Sequence, residues 1–226
     1  MQDNTWEKEY RDPKLISLSD EPIKCLKDFV RYLRKEENIE LNNLNILDLG
    51  CGNAKNSVYI AEQGDNNKVF GIDISPTAII LAKQAYPSGD FRVGNFGKTF
   101  PYPDRHFDII LDITSSNSLS ESEREIYLSE INRTIKSSGF LFVRALCKDG
   151  DSNAKNLLNC NPGKEKDTYI MPELGLTERV FSKEDFISQY SSSFELLYLD
   201  KETHYTKFNN RSYKRNFWVS AWRKIG

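Results

Sequence analysis

The sequence predicts an α/β domain in which a largely parallel sheet carries helices on both faces. Three observations lead there. Short apolar runs alternate with segments of helical period from about residue 21 to about residue 145, and such alternation places strands side by side in parallel with the helices outside. Glycines punctuate the first strand-to-helix junction at Gly50-Cys51-Gly52. The rhythm then breaks: runs at 194–200 and 217–222 are joined by a polar stretch without helical period, which predicts an antiparallel final pair.

Taken in order, Ile23, Leu26, Val30 and Leu33 recur at spacings of three and four and predict a helix over about 21–37. Residues 45–49 form a short buried strand, followed by a helix over 55–63 that Gly64 is expected to stop. A second strand covers 68–73. Ser75-Pro76 then supplies an N-cap with proline at the first helical position, for a helix to about Ala85. Residues 91–93 and 107–113 are the third and fourth strands, and 121–135 is a helix bearing Ile126, Ile131 and Ile135. Lys136-Ser137-Ser138-Gly139 turns the chain into a fifth strand over 140–145. The stretch 149–180, rich in Asn, Gly and Pro, reads as a long irregular segment of the functional or mobile kind.

Composition narrows the class. Lys and Arg number 31 against 33 Asp and Glu, a net charge of −2, and the length of 226 residues predicts one large domain or one domain with additions. Its expected organisation is an N-terminal arm or lid over 1–20, carrying Trp6, Tyr10 and Arg11, and a main domain over 21–226 with 149–180 as a substrate-side insertion. No apolar run approaches the ~18 residues of a membrane span. The first residues lack a leader's basic and apolar pattern, so a cytoplasmic protein, monomeric or homodimeric, is expected. Cys25, Cys51, Cys147 and Cys160 are scattered without a CxxC pair and only two histidines are present; four reduced thiols and no metal site are expected.

The chemistry concentrates in Asp48-Leu49-Gly50-Cys51-Gly52-Asn53-Ala54, between a strand and a helix. Glycine lets the backbone turn sharply and a ligand approach where a Cβ would collide. Twenty-one residues beyond Gly52, Asp73 ends the second strand, where a carboxylate reaches both hydroxyls of a ribose. A dinucleotide fingerprint G-x-G-x-x-G would need its third glycine at Lys55, and no matching second half of a dinucleotide fold follows, which weighs against that ligand.

With these residues in place, the chain resembles the class I S-adenosylmethionine-dependent methyltransferases from about residue 20 to its C-terminus. Asp48-x-Gly50-x-Gly52-x-Ala54 resembles the family's first motif, with Ala54 replacing a third glycine. The resemblance implies a seven-stranded Rossmann-like sheet, mostly parallel with an antiparallel C-terminal strand. It also implies S-adenosyl-L-methionine as cofactor, bound by Asp48, Gly50, Cys51, Gly52, Asp73 and Ile74. Asn95 and Phe96 would lie at the adenine, and Asp112, in the segment to Ser115, beside the methionine moiety. Asn95 stands where aspartate is commoner, and its amide oxygen would take the adenine amino hydrogen bond. Gly-Cys-Gly-Asn followed by Lys55-Asn56-Ser57 is similar to the tellurite-resistance and thiopurine-like small-molecule branch.

No residue stands out as a catalytic base. His106 sits in a turn before the fourth strand, and His204, beside Tyr205, is the candidate retained. Residues 201–226 carry Lys201, Lys207, Arg211, Lys214, Arg215, Arg223 and Lys224 against one acid, Glu202, with Tyr205, Phe208, Tyr213 and Phe217 interleaved. A nucleic-acid patch would look like this, but so would a charged hairpin, and the chain as a whole is slightly acidic. The expected function is methyl transfer to an O, N or S nucleophile of a small molecule. Transfer to protein or nucleic acid is the alternative, although Asp112-Ile113-Thr114-Ser115 lacks the Pro-Pro-aromatic motif of base-amino enzymes. A non-catalytic cofactor-binding partner subunit is the third reading.

Overall fold

The computed structural model describes residues 2–14, 16, 18–172, 174–208 and 211–226, with the side chains of 2, 3, 206–208, 211 and 212 outside that description. Seven strands form one sheet in the order β3-β2-β1-β4-β5-β9-β8. Its strands are β1 (Asn45–Leu49), β2 (Lys68–Asp73), β3 (Asp90–Val93), β4 (Phe107–Ile113), β5 (Ile135–Cys147), β8 (Phe194–Phe208) and β9 (Arg211–Lys224). β1 to β5 are mutually parallel; β9 runs antiparallel to both β5 and β8. The predicted sheet, with its antiparallel C-terminal strand, is the one observed.

Alternation along the strands divides the core into two layers. Leu47 and Leu49 of β1 pack on one face with Tyr127 and Ile131 of α5 (Glu121–Thr134) and Phe186 and Tyr190 of α7 (Lys183–Tyr190). Ile46 packs on the other face with Leu26, Phe29 and Leu33 of α2 (Lys24–Lys35), Ile60 of α3 (Lys55–Ala61) and Ile79 of α4 (Pro76–Ala85). Both faces are dry, which is why the parallel strands read as nearly continuous apolar runs. The helix starts follow local chemistry. Ser75 Oγ accepts from the Ala78 N–H at α4, and Ser120 and Glu123 form a reciprocal capping box at α5.

Five local expectations are corrected. Ile126 is 41% exposed; the buried residues of α5 are Arg124, Tyr127, Glu130, Ile131 and Thr134, with Arg124, Tyr127, Ile131 and Thr134 in one stripe at spacings of three and four. Gly64 does not stop α3, which ends at Ala61; a Cβ on Gly64 would collide with the Leu41 carbonyl oxygen, so close backbone approach requires the glycine. Lys136–Gly139 is no separate turn: β5 begins at Ile135, and its pairing with β4 jumps from Phe107↔Ile135 to Ile109↔Phe140 through a bulge that holds Ser138 at φ 62°. The polar stretch expected to join the last two strands is itself strand, since β8 and β9 pair as far as Phe208↔Arg211. Finally, the described residues of 149–180 are largely regular structure rather than an irregular segment. It contains α6 (Ser152–Cys160) and the antiparallel hairpin β6 (Thr168–Met171) and β7 (Leu176–Arg179). Asp151 caps α6 through Oδ1 and accepts the Asn216 N–H of β9 through Oδ2, at 2.7 Å, so long-range bonding organises a segment whose own pattern is weak.

Trp222 links the C-terminal hairpin to this core. It is fully buried, packs on Tyr190 at 5.2 Å between ring centroids, and donates from Nε1 to Ser220 Oγ at 2.8 Å. Trp222→Ala is expected to lower unfolding free energy by ~3–5 kcal/mol, read from the urea midpoint at unchanged slope.

Candidate functional site

From β1 the chain turns out to β2 and β3 on one side, then crosses to β4 and β5 on the other. The loops after β1 and β4 therefore diverge and leave a crevice at the carboxyl ends of the strands. After β1 the backbone enters the left-handed region at Gly50 (φ 71°), Gly52 (φ 56°) and Ala54 (φ 62°). A Cβ on Gly50 would come within 2.5 Å of the Ser115 Cβ in the loop after β4, and one on Gly52 equally close to Tyr10 Oη. Ser115 Oγ donates to the Leu49 carbonyl at 2.6 Å and ties the two loops together.

Asp73 is the hinge of the arrangement. Its Oδ2 accepts the Gly52 N–H and its Oδ1 the Ser75 N–H, both at 2.9 Å. Only 5% exposed, it still lines the crevice. Burial pushes its carboxyl up to about 6, against the restraint of the N–H bonds from Ser75, Gly52 and Ile74. Asp48 lies deeper, 2% exposed; burial pushes it up to about 7 although Ser57 hydrogen-bonds to it, and its Oδ2 has no partner among the described residues.

A cavity of about 310 Å³ occupies the crevice, at the small end of the range for ligand pockets. Gly50, Asp73, Ile74, Phe96, Thr114 and Ser115 line one end. Leu146, Met171, Glu178, Arg215 and Phe217 line the other, and Trp6, Tyr10 and Ile16 roof it. The roof is α1 (Gln2–Arg11), latched by Glu7, which accepts from Ser75 Oγ (2.6 Å), Thr77 Oγ1 (2.7 Å) and the Thr77 N–H (3.1 Å) at the start of α4. Burial opposes ionisation of Glu7, but those bonds outweigh it and bring its carboxyl down to about 2. Arg11 does not join the roof; it pairs with Glu7 at the surface.

Of the residues singled out by sequence, Gly50, Asp73, Ile74 and Phe96 line the cavity and Gly52 abuts its roof at Tyr10. Trp6 and Tyr10 of the expected arm, Ser115, Arg215 and Phe217 line it too, whereas Asp48, Cys51, Asn95, Asp112, His106 and His204 do not. Cys51 is turned into the core beside Gly71. Asn95 spends its amide locally, Oδ1 accepting from the Gly97 N–H (2.7 Å) and Nδ2 donating to Glu123 (2.9 Å), which leaves the oxygen expected for adenine already bonded. Asp112 is fully buried and accepts from Tyr127 Oη (2.6 Å) and the Ser116 N–H (3.1 Å), so it shapes the loop after β4. His204 sits half-exposed on β8, 2.7 Å from Glu202, outside the cavity lining. His106 packs its ring on Phe70 and Phe107.

Glu178 and Met171 fall in the segment expected on the substrate side, and Arg215 and Phe217 in the basic C-terminal run, but their meeting at one end of the cavity was not anticipated. Glu178 and Arg215 carry no local motif and meet only because the β6–β7 hairpin folds against β9. Tyr169 Oη donates to Glu178 Oε2 (2.5 Å) and accepts from Arg215 Nη2 (2.6 Å). Thr114 combines a β-branched side chain with φ 63°, a strained conformation, and accepts from Arg144 Nη1 at 2.7 Å. The basic C-terminal segment is partly neutralised internally: Arg223 pairs with Glu37 and Glu195, and Arg215 with the cluster above. The side chains of Lys207, Phe208 and Arg211 lie outside the described residues. Among the described residues no helix is long and apolar enough to cross a membrane, and the four cysteines are free thiols.

Residues 40–196 match a family model described as a methyltransferase domain. An uncharacterised methyltransferase of Schizosaccharomyces pombe is 32% identical over 112 residues, 48% of this chain and 75% of that protein. The tRNA N(3)-methylcytidine methyltransferase trm141 of the same yeast is 29% identical over 202 residues, covering 80% and 77%. Among solved structures, the 1,6-didemethyltoxoflavin-N1-methyltransferase of Burkholderia thailandensis, with bound 1,6-didemethyltoxoflavin and S-adenosylhomocysteine, superposes with a TM-score of 0.68 at 15% identity over 100% of this chain and 88% of that one.

Burying ionised Asp48 is destabilising. Its carboxyl binds a proton more tightly folded than unfolded, so its contribution to stability falls as pH rises from about 4 to about 7. Asp48→Asn is therefore expected to raise Tm at pH 8 by several degrees, at ~2–4 °C per kcal/mol, with the gain shrinking as pH falls below about 7 and vanishing only near pH 4 in thermal melts.

Proposed function

The chain belongs to the class I S-adenosylmethionine-dependent methyltransferase family, and from that premise we propose that it methylates an oxygen, nitrogen or sulfur nucleophile of a small molecule held beneath α1. One observation carries the choice of a small molecule. Arg215 is the only cation among the described residues lining the cavity, and it faces Glu178 and Asp151, each at 3.9 Å. A nucleic-acid site depends on cations free to meet phosphates, and this one is matched by carboxylates. The similarity to trm141 keeps transfer to RNA as the reading to test against.

The residues present fit the cofactor. Gly50 and Gly52 turn the backbone tightly beneath the cavity where a Cβ would collide with Ser115 or Tyr10, Gly50 lines the cavity, and Asp73 offers a braced carboxylate at its wall. When bound, S-adenosylmethionine supplies a methyl group already activated on a sulfonium. In this reading Asp73 accepts from the ribose hydroxyls, held in place by the Gly52 and Ser75 N–H groups. Phe96 and Ile74 wall the adenosyl end, while Asp48 and Asp112 hold the two loops from behind. α1 acts as a lid, with Trp6 and Tyr10 excluding water. The protein's contribution is then alignment of the nucleophile with the methyl carbon, and orientation of this kind supplies ~7–11 kcal/mol of a barrier. A thiol, an amine or an acidic hydroxyl needs no strong base.

Calorimetric titration with S-adenosylmethionine and S-adenosylhomocysteine tests the site. Asp73→Ala is expected to weaken both by a loss of ~1.5–3 kcal/mol, the worth of a charge-assisted hydrogen bond; unchanged affinity would remove Asp73 from the site. In the wild type, affinity should fall as pH drops through about 6, because protonation of Asp73 removes the accepting charge.

A further inference from the structure

The cavity end remote from Gly50 carries a second polar arrangement. Arg215, Tyr169 and Glu178 form a chain in which each group fixes the next, and all three are buried: 8%, 0% and 7% exposed. Their capacity is not used up. Among the described residues the Glu178 carboxylate accepts one hydrogen bond, from Tyr169 to Oε2, and Oε1 accepts none. Arg215 donates one, from Nη2 to Tyr169; its Nε lies 3.9 Å from Asp151, beyond hydrogen-bond reach. Both side chains line the cavity, so an acceptor oxygen and guanidinium N–H donors stand side by side at one wall. Buried polar groups left unmatched are costly, and a ligand presenting the complementary pair would complete both.

The remaining wall at this end is apolar and flat-sided. Phe217 is covered on one face by the Arg144 guanidinium, 3.5 Å from the ring centroid, and Arg144 is itself held by Glu202 and Thr114. The ring is thereby fixed, with Met171, Leu146 and Trp6 completing an apolar slot. With two carboxylates around one guanidinium, the end holds no net positive charge to attract an anion.

We propose that this end of the cavity binds the methyl acceptor, and that Glu178 and Arg215 together read an edge on which an N–H or O–H donor lies next to a carbonyl, as in a lactam or a hydroxy-carbonyl ring. The acceptor class is thus a neutral, flat, largely apolar ring compound bearing that edge. Glu178 takes the ligand's donor on Oε1, Arg215 gives a donor to the carbonyl, and Tyr169 holds both in position. The assignment rests on the methyl-transfer reading above and refines its substrate.

A binding experiment separates the two. The full chain, saturated with S-adenosylhomocysteine, is titrated calorimetrically with 2-quinolone and with N-methyl-2-quinolone, which keeps the carbonyl but lacks the donor. The wild type is expected to bind 2-quinolone about tenfold or more tightly than the N-methyl compound, as expected for a hydrogen bond to a charged group. Glu178→Gln should erase that preference while leaving S-adenosylhomocysteine affinity unchanged within about twofold. Equal binding of the two probes by the wild type, binding of neither, or a preference retained in Glu178→Gln would each overturn the proposal. The wild-type comparison stands even if the variant folds poorly. Failure of the wild type to bind S-adenosylhomocysteine at all would instead overturn the methyl-transfer reading, and the acceptor assignment with it.

Discussion

The bond from the Gly52 N–H to Asp73 Oδ2 is the constraint on which the site depends. It joins the turn after β1 to the end of β2, two points adjacent in the sheet but twenty-one residues apart in the chain. With Ser75 on the other oxygen, the carboxylate is clamped by two backbone N–H groups that the glycine turn and the cap of α4 already hold in place. Such a group holds its orientation whether or not a ligand is present. The same contacts partly offset burial, which alone would favour the protonated acid. Asp73 is therefore a poised rather than a comfortable carboxylate, and a ligand offering two hydroxyls would relieve it.

Around this clamp the molecule adds covers drawn from distant parts of the chain. α1 comes from the N-terminus and is anchored through Glu7 to Ser75, the residue that caps α4 and also donates its N–H to Asp73. The latch on α1 and the clamp on Asp73 thus share one residue, Ser75, at the N-terminus of α4. The opposite wall comes from the β6–β7 hairpin and β9, held together through Asp151 and the Tyr169–Glu178–Arg215 chain. The two ends of the cavity are in this way built from different elements, the loops after β1, β2 and β4 at one end and the hairpin with β9 at the other.

Several candidate residues turned out to act from behind the site. Asp112, Asn95 and Cys51 bear the chemistry their motif positions suggest, but each is committed to its own loop or to the core. A local pattern specifies that a polar side chain stands after a strand; whether it faces a ligand or braces the turn depends on its neighbours. Asp112 meets Tyr127 from α5, and Asn95 meets Glu123 from the same helix. Neither encounter can be read from spacing.

The sequence by itself determined the alternation of strands and helices, the glycine turn and the position of Asp73, because these rest on local rules: short apolar runs, period-3.6 burial, capping serine and proline, and glycine where φ is positive. It also gave the antiparallel ending. Only the tertiary structure decided the rest. The segment 149–180 lacks an apolar period, and its order comes from bonds to β9; the extension of β8 and β9 comes from their pairing with each other. Glu178 and Arg215 lie thirty-seven residues apart in the numbering, on strands of different sheets. Their meeting depends on how the hairpin packs, and long-range packing leaves no periodic trace in a chain.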